Sequence, residues 1–88
     1  MPEVRYHPQV KKEIDRIPPT WRSRIRRVIR ELTQHPQKGN RLRGKLEGMR
    51  SYRAGNYRII YTSEKGILYV LCIRHRSEVY ENSVKRVS

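Results

Sequence analysis

The chain has 88 residues, enough for one small domain and too few to bury a large core. Its 21 Lys+Arg against 8 Asp+Glu give a formal net charge of +13, a field that attracts polyanions: nucleic acid, an anionic membrane or an acidic protein. One Cys excludes an internal disulfide, and the longest apolar run, residues 67–73, falls far short of the roughly 20 residues a membrane-spanning helix needs.

The N-terminal stretch "MPEVRYHPQVKKEIDR" is charged throughout and has no apolar signal core, so a single cytoplasmic domain over residues 1–88 is expected. "EVRYH" (3–7) has the length and β-branched or aromatic content of a short edge strand. From Pro8 the period becomes helical, with Val10, Ile14 and Ile17 at spacings of four and three. "PP" at 18–19 stops this helix, since proline removes a donor and restricts the residue before it. Pro19 then opens a second helix as its first residue, or lies just outside it with Thr20 as cap.

Trp21, Ile25, Val28, Ile29 and Leu32 form one apolar stripe on that second helix. Its other face carries Arg22, Arg24, Arg26, Arg27 and Arg30. "QHPQKGN" (34–40) ends it, so two helices joined by a proline turn are expected to pack as a hairpin on a common sheet. "MRSYRA" (49–54) and "YRIIYTS" (57–63) flank Gly55-Asn56, a dipeptide suited to a two-residue hairpin loop. "SEKG" (63–66) turns the chain into "ILYVLCIRHR" (67–76). This last strand is apolar at both parities, which predicts a central strand covered on both faces. The expected fold is α+β, in the order β-α-α-β-β-β with a short C-terminal segment. A helical hairpin covers one face of a mainly antiparallel, four-stranded sheet.

If Gly55 and Asn56 are the loop, Arg53 lies directly opposite Arg58. Two like charges facing across a ribbon repel, which is mildly destabilising. Either both splay into water, or they form an anion site whose planar forks suit bidentate contacts to phosphate oxygens. Arg74 and Arg76 share a parity at the end of the last strand, with His75 pointing the other way and Tyr80 four residues beyond Arg76. Arginines can neutralise the charge that develops on a phosphorane. A tyrosine or histidine can orient or deprotonate a 2′-hydroxyl, and surrounding positive charge lowers a tyrosine pKa toward that use. His7, His35 and His75 are far apart in sequence, so no metal motif and no cofactor are expected. Cys72, inside the apolar run, reads as a small buried hydrophobe.

"LRGKLEGMRSYRAGNYRIIY" followed by "IRHRSEVY" resembles the RelE-type toxins of the RelE/ParE toxin–antitoxin superfamily, over nearly the whole chain. The resemblance implies a ribosome-dependent endoribonuclease that cuts mRNA in the A site without a metal. In that chemistry the 2′-hydroxyl attacks the adjacent phosphate, leaving a 2′,3′-cyclic phosphate and a 5′-hydroxyl. On the matching positions, Arg58 is a phosphate-binding, transition-state residue. Arg74 resembles the leaving-group acid, and Tyr80 stacks on a base or activates the 2′-hydroxyl. Arg53 and Arg76 match basic positions that support the site or the ribosomal contact, and Arg50 joins them as a candidate phosphate- or RNA-binding residue.

Where the best-studied pattern has two lysines, this chain has Met49 and Ser51. Some relatives use a glutamate and a histidine near the C-terminus, which makes His75 and Glu78 candidates for proton transfer. Arg22, Arg26, Arg27 and Arg30 form either a solvated helix face or a surface for ribosomal RNA. The implied partners are an acidic RelB-like antitoxin that folds on binding, the 70S ribosome and mRNA, and operator DNA for the toxin–antitoxin complex, with no membrane. The rival readings are a non-catalytic gyrase inhibitor of the ParE type and a plain DNA- or RNA-binding module.

Overall fold

A computed structural model describes residues 3–75. Its elements run β1 (Glu3–Tyr6), α1 (Pro8–Asp15), α2 (Pro19–Gln34), β2 (Asn40–Arg41), β3 (Arg50–Ala54), β4 (Tyr57–Glu64) and β5 (Ile67–His75). Single 3-10 turns at Pro36–Lys38 and Gly44–Leu46 bracket β2. The sheet order is β1-β5-β4-β3-β2, with β1 parallel to β5 and the other pairs antiparallel.

Local chemistry sets the helix ends. His7 caps α1, its Nδ1 accepting the Gln9 N–H at 3.2 Å, and Pro8 occupies the first turn, where a missing N–H costs nothing. Pro19 is the first residue of α2 rather than an outlier before it, and the Pro18 carbonyl accepts the Arg22 N–H at 2.9 Å. His35-Pro36 then stops α2. Val10 of α1, Ile17 in the turn after it, and Ile25, Ile29 and Leu32 of α2 share one core with Ile59, Tyr61, Leu68, Val70 and Ile73 of the sheet.

Three features correct the expectations from sequence. The sheet has five strands, not four: Asn40 and Arg41 pair with Ser51 and Arg50 at the β3 edge. A two-residue strand is too short to show any period, so only its partner reveals it. The second correction concerns β5, an interior strand as expected but not covered on both faces.

The core-facing residues of β5 are Leu68, Val70 and Ile73, while Ile67, Tyr69 and Leu71 are only half-buried. A β-bulge causes this. Ile60 pairs with Cys72 and Tyr61 with Val70, so Leu71 is the extra residue and the strand changes phase there. Apolarity at both parities records that phase change rather than two buried faces. Third, and following from it, Cys72 is half-buried on the side away from the helices rather than in the core.

Candidate phosphate-binding site on the sheet

The loop Gly55-Asn56 sets the register of the β3–β4 ribbon. Gly55 has φ +64°, which a two-residue turn with glycine first requires, and Ala54 pairs with Tyr57 as expected. Arg53 therefore lies opposite Arg58. The bulge in β5 then brings Arg74 opposite Arg58 from the other side. Without the extra residue, Tyr57 would face Arg74, and Arg58 would face Ile73.

Arg53, Arg58 and Arg74 thus form one transverse row over three adjacent strands, with neighbouring Cβ atoms about 5 Å apart. The Cβ atoms of the row lie on the sheet face away from the helices, because its strand neighbours Ala54, Ile59 and Ile73 point into the core, and the Arg74 side chain turns round the β5 edge to reach Glu13 of α1. Among the described residues, neither Arg53 nor Arg58 has a carboxylate partner. Such a row concentrates positive potential where planar guanidinium groups can meet successive anionic oxygens.

Arg74 is held differently. β1 ends at Tyr6, leaving the outer edge of β5 without a strand beyond Val70. Helix α1 runs along that edge, and its N-cap backbone together with its side chains replaces the missing ladder. The His7 N–H donates to the Val70 carbonyl at 2.9 Å, and Gln9 Nε2 donates to the Leu71 carbonyl at 2.9 Å. The Ile73 N–H donates to Glu13 Oε1, also at 2.9 Å. Glu13 Oε2 accepts from Arg74 Nη1, forming an ion pair with little solvent exposure on the carboxylate side.

Sequence reasoning passed over Glu13. Its signal was the polar pair Gln9 and Glu13, one turn apart beside the apolar stripe of Val10, Ile14 and Ile17.

The other candidate residues are distributed as follows. His75 pairs with Tyr57 on the helix side, its ring edge-on to Tyr57 at 5.2 Å and 83°, while Tyr57 in turn meets Trp21 at 5.9 Å. Glu13, Arg16, Tyr57, Ile73, Arg74 and His75 line a cleft of about 250 Å³ there. Arg50 sits on the helix side of β3, away from the row. Its Nη1 donates to the Gly39 carbonyl at 2.8 Å and the Gln37 carbonyl at 3.3 Å.

Arg22 Nη2 donates to the Ile17 carbonyl at 3.0 Å, while Arg26, Arg27 and Arg30 are exposed along α2. Arg24 stacks over Trp21, 5.2 Å from the ring centroid. Arg76, Glu78 and Tyr80 lie outside the described residues. Among the described residues, no three His, Cys, Asp or Glu side chains converge as a metal site. No helix among them is long and apolar enough to cross a membrane.

Residues 4–80 match the family described as the ParE toxin of the type II toxin–antitoxin system parDE. The chain belongs to the RelE/ParE toxin family. This toxin is 32% identical over 82 aligned residues to the mRNA interferase toxin RelE of Escherichia coli, covering 86% of each chain.

Among solved structures, the toxin–antitoxin complex RelBE2 of Mycobacterium tuberculosis is similar at a TM-score of 0.79 and 26% identity. That match covers 86% of this toxin and 100% of that chain. The archaeal RelE–RelB complex of Pyrococcus horikoshii shares the fold at a TM-score of 0.70 and 23% identity, covering 85% and 94% of the two chains.

Proposed function

We propose that this toxin is a ribosome-dependent endoribonuclease that cleaves mRNA in the A site without a metal and so inhibits translation. The observation that carries the reading is the row of Arg53, Arg58 and Arg74 across β3, β4 and β5. Arginines at facing positions of three adjacent strands repel one another, and an anion bound along the row removes that cost. Similarity to an mRNA interferase supports RNA as that anion.

The chemistry follows from the residues. As the 2′-oxygen bonds to phosphorus, charge builds on the non-bridging oxygens. Arg58, at the centre of the row, and Arg53 beside it take up that charge through N–H···O contacts. Arg74 donates a proton to the departing 5′-oxygen as its bond to phosphorus breaks, and regains one from solvent after the products leave. Tyr80 stacks on a base or, as its phenolate, receives the 2′ proton, with the Glu78 carboxylate as an alternative carrier. The edge contact with Tyr57 turns His75 away from Arg58, which favours those two residues over it. The products are a 2′,3′-cyclic phosphate and a 5′-hydroxyl.

Around this centre, Arg76 supports the site, Arg50 holds the α2–β2 connection through the Gln37 and Gly39 carbonyls, and the exposed Arg26, Arg27 and Arg30 of α2, with Arg22 beside them, lie on ribosomal RNA. A charge of +13 suits an acidic RelB-like antitoxin that folds on binding, and the complex with it would bind operator DNA. RelE–RelB pairing in similar structures supports that partner, and the cytoplasm is where all of these meet.

The test adds purified toxin to 70S ribosomes stalled on a defined mRNA and maps the break and its end groups. A cut in the A-site codon ending in a cyclic phosphate is expected. Arg58→Ala and Tyr80→Phe should each keep the fold and lose at least about 100-fold in rate, the usual scale for removing one electrostatic or proton-transfer group. Full activity in either variant removes that residue from the mechanism. The family description names ParE, which favours gyrase inhibition as the second reading. Intact mRNA together with blocked supercoiling by gyrase would establish it instead.

A further inference from the structure

We infer that Glu13 is a positioning residue for Arg74, an inference that rests on the reading of Arg74 as part of the cleavage site. Its carboxylate is bound at two points on the same strand. Oε1 accepts the Ile73 N–H at 2.9 Å, which ties the group to the β5 backbone, and Oε2 accepts from Arg74 Nη1. The carboxylate is therefore in register with the residue it holds. Its position is further set by α1, where Gln9, one turn earlier, is anchored to the Leu71 carbonyl.

There is a physical need for such a clamp. Arg58 lies directly opposite Arg74 in the β4–β5 register, and two like-charged side chains on facing positions repel each other. Glu13 offsets the repulsion from the strand's outer edge and holds Arg74 in one orientation. One Nη1 contact leaves the rest of the guanidinium free to meet substrate. The Glu13 side chain is 13% exposed and that of Arg74 29%, so solvent screens the pair only partly.

Two measurements test this. The first is NMR of the Arg74 side-chain Nε–H in wild type and in Glu13→Gln, which keeps an acceptor for Ile73 and removes the charge. A sharp, exchange-protected signal is expected in wild type and its loss in the variant. An unprotected wild-type signal, or one unchanged by the substitution, overturns the inference.

The second is single-turnover cleavage on ribosomes for Glu13→Gln, Arg74→Ala and the double variant. Misplacing a reacting group by about 1 Å costs on the order of 100-fold, so that loss is expected in kcat with KM little changed. In the Arg74→Ala background, Glu13→Gln should add nothing. Additive losses, or faster cleavage from a released Arg74, would overturn the inference.

Should Glu13→Gln not fold, Glu13→Asp keeps the charge and withdraws it by one methylene. It is expected to weaken the Arg74 signal and the rate together, and a change in only one of them counts against the clamp. A wild-type protein that cuts no RNA on ribosomes overturns the proposed function, and the NMR comparison still decides whether Glu13 holds Arg74.

Discussion

Replacing Gly55 with alanine tests whether the hairpin that carries Arg53 and Arg58 is seated on the helices. Gly55 has φ +64°, and a Cβ built there would fall inside contact distance of Trp21 Cζ3 and Cη2, with Cε3 at 3.2 Å. The obstacle is a rigid ring packed against the core, so the loop must move. Gly66, in the next turn, has φ +79° and nothing within 4 Å of the same Cβ.

The two substitutions therefore share backbone strain and differ in the clash. Strain at positive φ costs about 1–2 kcal/mol, and overpacking adds about 1–3 kcal/mol. Gly66→Ala should thus cost about 1–2 kcal/mol and Gly55→Ala about 2–5 kcal/mol. In a domain of this size each kcal/mol moves the melting midpoint by about 4–8 °C, so thermal unfolding followed by circular dichroism separates the two. In a Trp21→Ala background the clash is gone, and Gly55→Ala should fall to the cost of Gly66→Ala. An equal cost of Gly55→Ala with and without the Trp21 ring would refute the close approach.

Tyr61→Phe should destabilise by about 1–3 kcal/mol in urea unfolding. The hydroxyl accepts the buried Gly39 N–H at 2.9 Å and donates to the Pro36 carbonyl at 2.5 Å, and both would lose their partner. Burial raises the Tyr61 pKa above its ordinary 10.0. The folded value is the higher one, so the wild-type advantage is complete below about pH 10 and is lost as pH rises through the folded pKa. The deficit of Tyr61→Phe should therefore shrink in alkaline titration.

Arg53→Ala should reduce the slope of log affinity against log salt by about 0.7 for a short, non-cleavable single-stranded RNA, measured by fluorescence anisotropy. An unchanged slope would mean that Arg53 contacts no phosphate. Lys38→Ala, which breaks an exposed pair with Glu31, should leave the melting midpoint unchanged.

Much of the site's geometry was legible because it is local. Gly55-Asn56 admits one tight register, and that register alone puts Arg53 opposite Arg58. The same local reasoning turned His75 away from Arg74, and the structure shows it against Tyr57. The third member of the row was legible only as a candidate. Alternation along an unbroken β5 would have put Arg74 opposite Tyr57, and only the bulge brings it to Arg58. Arg50 stood in the sequence as one basic residue among many, and its contacts with Gln37 and Gly39 depend on where the α2–β2 connection passes.

The sequence by itself determined what short-range chemistry controls. Prolines at 8, 18, 19 and 36 and glycines at 55 and 66 punctuate the chain, and the apolar stripes of the two helices and the strands between those turns follow from side-chain period. It also determined the charge that makes a polyanion the natural partner. Tertiary structure decided what depends on pairing between distant residues: the two-residue β2, the bulge at Leu71, and the clamp of Glu13 on Ile73 and Arg74. These share one physical cause. A backbone N–H or C=O left open must find a partner, and packing rather than the immediate neighbours in sequence settles which residue supplies it, from the next strand for β2 and from sixty positions away for the Ile73 N–H that Glu13 accepts.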